Sequence, residues 1–133
     1  MKKVTPQQIK DAREILEKVN IIDEDKTVSN EYRGYIASFG ASISQSGLVP
    51  SVAFFENKNA NSQKERPKVM KAILLMINNK KDDYETLLDY ILDNKIDDNN
   101  LVNLQRKIIQ AAIALKLAMN TYKVKVKSDE NTD

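Results

Sequence analysis

The side chains that could do chemistry in this 133-residue chain are its cations and carboxylates, because the sequence contains neither histidine nor cysteine. Without histidine the chain lacks the usual general base and zinc ligand, and without cysteine it lacks thiolate nucleophiles, thiolate metal ligands and disulfides. The sequence also has no glycine-rich phosphate loop. The composition therefore favours binding over catalysis, and we predict no enzyme activity, no cofactor and no metal.

Three carboxylates, Glu85, Asp89 and Asp93, recur at four-residue intervals. A catalytic pair of carboxylates requires one acid whose pKa is raised by an apolar pocket, and this spacing gives no sign of one. We interpret the three acids as a solvent-facing stripe on one helix. Contact with a basic neighbour, such as a second copy of the chain, is the alternative.

The cations are segregated from the acids, although the net charge is only +2. Residues 57–81 carry seven lysines and arginines with one acid, residues 82–98 carry seven acids with one lysine, and residues 99–127 carry six bases with no acid. Acid-free stretches lack the i,i+4 ion pairs that stabilise helices, which suits a partner with a regular negative backbone, namely nucleic acid. Solvation of helix surfaces by lysine explains the same blocks and stays open as the alternative.

We predict phosphate-contacting side chains in two patches and at one further position. Lys116 and Lys123 are seven residues apart, so they fall on one face if the last helix continues through both. The candidates are Arg106, Lys107, Lys116 and Lys123 on the last helix, Arg66, Lys68 and Lys71 at the opening of the fourth, and Arg33 on the second.

Helical spacing of apolar residues predicts the elements that carry these cations. We expect an all-α fold, a compact bundle of about five to six helices that ends in a long C-terminal helix. Thr5, Pro6 and Gln8 form the pattern of a capped helix start. The apolar seam of the last helix contains Leu101, Leu104, Ile108, Ala111, Leu115, Ala118 and Tyr122. No strand is predicted, and the alternating sequence YKVKVK, residues 122–127, is expected to end the last helix.

Capping residues and prolines predict the limits of the other helices. Ser29 or Asn30 is expected to cap the second helix, and Pro67 to open the fourth. Asp82 or Asp83 is expected to cap the fifth. The polar residues between the third and fourth helices, 57–65, are expected to form a loop.

The chain is long enough for one domain with its own core, and we expect residues 1–127 to form it and residues 128–133 to be a disordered tail. The basic N-terminus is not followed by an apolar segment, so it does not have the pattern of a signal peptide. The uncharged residues 34–55 contain serines, a glutamine and a proline, which is not the pattern of a membrane span. We therefore expect a cytoplasmic protein that does not associate with membranes.

The segment SQSGLVPSVAFFE, residues 44–56, closes the uncharged run and is predicted to form a corner between the second and third helices. Gly47 is expected to be a left-handed C-cap, and Pro50 to lie in the first turn of the next helix. Phe54 or Phe55 is expected to anchor the core.

The second helix is predicted to have an apolar face formed by Tyr32, Tyr35 or Ile36, Phe39 and Ile43. The face opposite to it is small and neutral. Its residues are Gly34, Ser38, Ser42, Gln45 and Ser46. One interpretation is a central helix that its own chain covers. The other is a surface on which another protein packs, because small uncharged side chains allow close approach at low desolvation cost.

Three segments taken together resemble the small helical subunit of type III-B CRISPR RNA-silencing complexes, the Cmr family. They are YRGYIASFGASISQSGL, VPSVAFFENK and LQRKIIQAAIALKLAMNTYK. The first is similar to a long helix that ends in a Gly-Leu turn, the second to a short helix with an Ala-Phe pair, and the third to the family's C-terminal helix, with Lys116 at its basic position. The order of elements is similar from Ile9 to Lys123.

The resemblance implies a non-catalytic scaffold in antiviral defence. Copies of such a subunit are expected to stack into a minor filament along guide RNA and bound target RNA, beside larger subunits that hold the guide and cleave the target. The cations would then contact the sugar-phosphate backbone without reading its sequence. The alternative, from another class, is a helical protein–protein adaptor with no nucleic-acid role.

Overall fold

A computed structural model of the protein describes residues 3–57, 65–94 and 97–125. Within these ranges the chain forms six helices and one two-stranded sheet, which confirms the predicted all-α bundle with a long C-terminal helix. The elements are α1 (Pro6–Lys18), β1 (Thr27–Val28), α2 (Asn30–Ser46), α3 (Leu48–Phe55), α4 (Arg66–Ile77), α5 (Leu87–Asp93), α6 (Asp98–Met119) and β2 (Lys123–Val124). Most of the predicted loop 57–65 and all of the predicted tail lie outside the described residues.

Side-chain caps begin the helices that the sequence marks most clearly. The Thr5 hydroxyl accepts a hydrogen bond from the Gln8 amide at 3.1 Å, and the Gln8 side chain accepts one from the Thr5 amide at 2.9 Å. This reciprocal pair is the predicted capping box. Ser29 caps α2 by accepting from the amide of Glu31, and Asp97 caps α6 by accepting from the amide of Asn100.

The core lies around α6, which packs against α1, α2 and α4. The predicted seam of α6 is confirmed over its central five residues, all of them buried: Leu104, Ile108, Ala111, Leu115 and Ala118. The predicted apolar face of α2 is buried as well, and its Phe39 is fully enclosed. The Phe39 ring meets the Phe55 ring edge to face at a centroid distance of 5.3 Å, which joins α2 to α3.

The start of α5 differs from the prediction. Neither Asp82 nor Asp83 caps the helix; Thr86 does, by accepting a hydrogen bond from the Asp89 amide at 3.0 Å. The Glu56 carboxylate, which follows α3, also accepts the amides of Leu87 and Leu88 at 2.8 and 3.3 Å. This cap comes from a distant part of the chain, so the local sequence does not reveal it.

The later start of α5 also changes the predicted acidic stripe. Glu85 lies before the helix, and only Asp89 and Asp93 lie within it. Asp93 accepts a hydrogen bond from the Tyr84 hydroxyl at 2.5 Å. The stripe of three acids on one helix was therefore a wrong prediction.

The end of the chain also differs from the prediction, because α6 ends at Met119 and β2 follows it. β2 pairs in parallel with β1, with Lys123 opposite Thr27, and the expectation of no strand was wrong. Tyr122 precedes β2 and is buried, and its hydroxyl donates to the Glu17 carboxylate at 2.7 Å. Pairing with β1 and this anchor on α1 supply contacts that a continued helix would lose.

The corner between α2 and α3 turns on Gly47, whose backbone has φ 91° and ψ 169°. The positive φ confirms that glycine is needed, but the extended ψ shows that the predicted left-handed helical cap was wrong. Pro50 lies in the first turn of α3, as predicted. Phe55 anchors the core, whereas Phe54 is 56% exposed.

Candidate nucleic-acid interface

The cations of α6 face solvent. Arg106, Lys107 and Lys116 are all exposed, and none of them has an ion pair or hydrogen bond to any residue that the structure describes. From Asn99 onward the helix contains no acid. The side chains are therefore available to an external anion.

The helix geometry spreads these three cations across the exposed half of α6. Arg106 and Lys116 are ten residues apart, which is about 15 Å along the axis and about 80° around it. Lys107 lies about 100° from Arg106 on the other side. Lys107 and Lys116 therefore lie about 180° apart around the axis, on opposite flanks of the helix. An extended polyanion that crosses the exposed half of α6 obliquely could contact the three cations in succession, whereas a small anion could not bridge them.

Lys123 does not extend this surface along α6. It is exposed, but it lies on β2, beyond the end of the helix. The prediction that Lys116 and Lys123 share a helix face was therefore wrong, because the chain leaves the helical path at Met119. No ion pair or hydrogen bond joins the Lys123 side chain to the described parts of the chain.

Lys71, predicted for the second patch, is instead bound within the fold. Its ammonium group forms an ion pair with Asp82 and donates to the backbone carbonyls of Tyr84 and Glu85 at 2.8 and 3.4 Å. These contacts attach α4 to the segment that leads into α5. Lys71 also lowers the pKa of the Asp82 carboxyl, chiefly through their hydrogen bond.

Lys68 makes weaker contacts than Lys71 does. Its ammonium group lies 3.4 Å from the Glu65 carboxylate and 5.8 Å from the centre of the Tyr32 ring. Glu65 in turn accepts the Tyr32 hydroxyl at 3.2 Å. Burial and the negative charge of Glu65 raise the pKa of Tyr32, so this hydroxyl stays protonated and continues to donate.

Arg66 is held by aromatic rings rather than by an acid. The central carbon of its guanidinium lies 4.6 Å from the centre of the Phe54 ring and 5.0 Å from that of Phe55. Its Nε is buried and has no hydrogen-bond partner among the described residues. Sequence reasoning missed this arrangement, although adjacent aromatic residues on a helix point about 100° apart and cannot both face the core.

The face of α2 opposite the core is open. Arg33 lies near the start of this helix, partly buried and without an ion pair to the described residues. The exposed residues on the helix are small and neutral, apart from the first two residues, and comprise Gly34, Ala37, Ser38, Ala41, Ser44, Gln45 and Ser46. The interpretation that its own chain covers this helix on most sides was therefore wrong. Ser42, which was predicted to be on the small neutral face, instead turns toward α3, where its hydroxyl lies 2.7 Å from that of Ser51.

The described residues contain no group of acids that could hold a metal ion. None of their helices is both long and apolar enough to cross a bilayer. Among the residues that the structure describes, Phe54 is the one exposed aromatic side chain.

A helical bundle with unpaired cations along its longest helix and an uncharged face on α2 defines a helical binding module. A family model described as CRISPR-associated protein (Cas_Cmr5) matches residues 7–121. The chain belongs to this family, the small subunits of type III-B CRISPR complexes, and membership implies association with other subunits of the complex. Comparison with curated proteins and with solved structures found no match.

Proposed function

We propose that this protein is a non-catalytic subunit that contacts the backbones of guide and target RNA in a type III-B effector complex. The observation that carries the proposal is the acid-free outer surface of α6, where three exposed cations have no partner within the described residues. We define Arg106, Lys107 and Lys116 as the α6 cations. Each can neutralise a phosphate without breaking an internal contact.

The proposal assigns a smaller role to the second patch. We define Arg66, Lys68 and Lys71 as the α4 cations, which have partners inside the fold. Lys68 and Lys71 gain little by leaving an internal carboxylate for a phosphate, because each loses one interaction as it forms another. Arg66 contacts rings only and forms no ion pair with the described residues. Lys123 and Arg33 stay candidates for phosphate contact beyond α6. Stacking of copies along the RNA is part of the proposal and rests on family membership.

Crosslinking inside the assembled complex tests the proposal. The complex would be purified through a tag on this chain, exposed to ultraviolet light, and assayed for labelled RNA bound covalently to the chain. Neutralising the α6 cations (Arg106→Gln, Lys107→Gln, Lys116→Gln) should reduce crosslinked RNA at least severalfold while the other subunits still co-purify.

A matched control separates this effect from a change in net charge. Lys10, Lys18 and Lys81 are also exposed but lie on α1 and after α4. Their replacement by glutamine removes the same three charges and should leave crosslinking unchanged. Equal crosslinking of the parent and the α6 variant would contradict the proposal.

The second candidate is an adaptor that binds only proteins, and the open neutral face of α2 favours it. Ala37→Glu with Ala41→Glu would place two charges on that face without touching the core. An adaptor would lose its protein partners and show weak RNA retention that does not depend on salt. An RNA-contacting subunit would retain strongly salt-dependent RNA binding in the same variant.

A further inference from the structure

The end of α3 presents a single aromatic ring to solvent. Phe55 is 3% exposed and packs on Phe39, whereas its neighbour Phe54 is 56% exposed. The Phe54 ring meets the Phe55 ring edge to face at 5.8 Å, so the exposed ring is fixed by a buried one. An outward-facing ring that contacts a buried one is thus part of the fold.

Arg66 lies against this ring and forms no ion pair with the described residues. Its guanidinium is within 5.0 Å of the centres of both rings. Its buried Nε has no partner among those residues. An arginine on an aromatic ring with no nearby carboxylate partner keeps its attraction for an external anion.

The surroundings of Phe54 favour a flat ligand over a protein. On α2 and α3 the only exposed large apolar side chains are Val49, at 37%, and Phe54. Protein interfaces generally bury several large anchors at their centre, which this surface does not offer. Pro50 and Ala53, the other exposed residues of α3, are small and uncharged.

We propose that Phe54 and Arg66 form a platform on which one unpaired RNA base stacks, with the Arg66 charge attracting the adjoining phosphate. Every base has a π face, so such a platform does not read sequence. A stacked base contributes about 1–3 kcal/mol, and arginine adds a cation–π component. The inference rests on the proposed RNA contact and extends it from phosphates on α6 to a base at the end of α3.

The absence of tryptophan from the sequence permits a direct test. Phe54→Trp would introduce a single tryptophan at the platform, whose fluorescence can be excited separately from that of the five tyrosines. Its fluorescence should be quenched by single-stranded oligoadenylate and not by inorganic polyphosphate, which offers negative charge without bases. Equal quenching by both probes, or by neither, would overturn the stacking inference.

RNA-affinity measurements on two further variants of Phe54 complete the test. Phe54→Ala and Phe54→Leu should each weaken oligoadenylate binding about 5- to 100-fold, corresponding to one lost stack, and leave polyphosphate binding unchanged. Leucine keeps an apolar side chain, so normal RNA affinity in Phe54→Leu would contradict stacking. Loss of a protein subunit from the purified complex, with RNA affinity intact, would identify the ring as a protein anchor and overturn the inference.

These outcomes are separable from failure of the proposed function. If the parent chain binds oligoadenylate with strong salt dependence but the Phe54 variants bind equally well, only the platform is wrong. If the parent binds neither oligoadenylate nor polyphosphate, both the RNA contact and the platform are wrong. Circular dichroism of each variant should match the parent, because more than half of the Phe54 side chain is exposed.

Discussion

The α4 cations touch other parts of the protein, whereas the α6 cations face outward. Lys71 binds an acid and two backbone carbonyls, and Arg66 packs on two rings. The α6 cations have no such partner in the described parts of the chain. The number of positive charges is the same in the two groups, so charge alone does not decide which group contacts RNA. What decides is whether the fold already supplies the cation with a carboxylate or carbonyl partner.

The largest expected effect concerns Gly47, which sets the corner that places Phe54 and Phe55 against Arg66. Gly47→Val should lower the free energy of unfolding by about 1–3 kcal/mol, because only glycine adopts its backbone conformation without strain. A Cβ there would meet only the Pro50 Cδ, at 3.9 Å, so strain rather than crowding is the cause. Gly47→Ala should therefore also destabilise the protein, as measured by urea denaturation.

Gly40 supplies the control for this prediction. It lies within α2, and a Cβ added to it would meet nothing within 4 Å. Gly40→Ala should stabilise the protein by about 0.5–1 kcal/mol, because alanine loses less entropy in a helix. If Gly47→Ala proved as stable as the parent, the described corner would be wrong. RNA binding by α6 should be unchanged in all folded variants.

Lys71 gives the next largest effect and the clearest contrast with Lys116. Lys71→Ala should lower the free energy of unfolding by about 1–2 kcal/mol, because the carbonyls of Tyr84 and Glu85 lose a charged donor. Lys116→Ala should change it by less than about 0.5 kcal/mol. Urea denaturation measures the free energy of unfolding of both variants. If Lys116→Ala were the more destabilised, the distinction between the α4 and α6 cations would be wrong.

The pH dependence of stability gives a second test of the Lys71–Asp82 contact. Lys71 lowers the pKa of Asp82 below its ordinary value of 3.8. A lowered carboxyl pKa contributes stability above the ordinary value, and that contribution is lost as the pH falls through the lowered one. The stability difference between the parent and Lys71→Ala should thus narrow at acid pH, whereas an unchanged difference would contradict the ion pair.

The smallest effect on stability is expected at Lys68. Of the α4 cations, it is the one whose weak internal contacts would most easily allow it to bind RNA instead. Its pair with Glu65 joins two side chains that are each 39% exposed, and such pairs contribute about 0–1 kcal/mol. Lys68→Gln should therefore change stability little, as measured by thermal denaturation. A large decrease in RNA affinity in this variant would move Lys68 into the group of RNA-contacting cations.

Local patterns were sufficient to predict much of the fold. The capping box at Thr5, the apolar face of α2 and the seam of α6 depend on neighbouring residues, so their spacing is visible in the sequence. The need for glycine at position 47 was visible for the same reason. The ψ value of Gly47 could not be predicted, because ψ depends on how α3 packs on α2.

Features that depend on distant partners could not be predicted. The start of α5 is fixed partly by Glu56, 31 residues before Leu87. β2 forms because Lys123 meets Thr27, far away in the chain. The division of the cations has the same origin, since the carbonyls that accept from Lys71 lie 13 and 14 residues further along the chain, between α4 and α5.

The salt dependence of RNA binding tests the central claim most directly. The association constant of the parent for single-stranded RNA would be measured over a series of salt concentrations and compared with that of Arg106→Gln, Lys107→Gln, Lys116→Gln. Three lost phosphate contacts should make the slope of log K against log salt shallower by about 2, at about 0.7 per contact. The control variant of Lys10, Lys18 and Lys81 should keep the parent slope. Equal slopes for the parent and the α6 variant would contradict the assignment of RNA contact to α6.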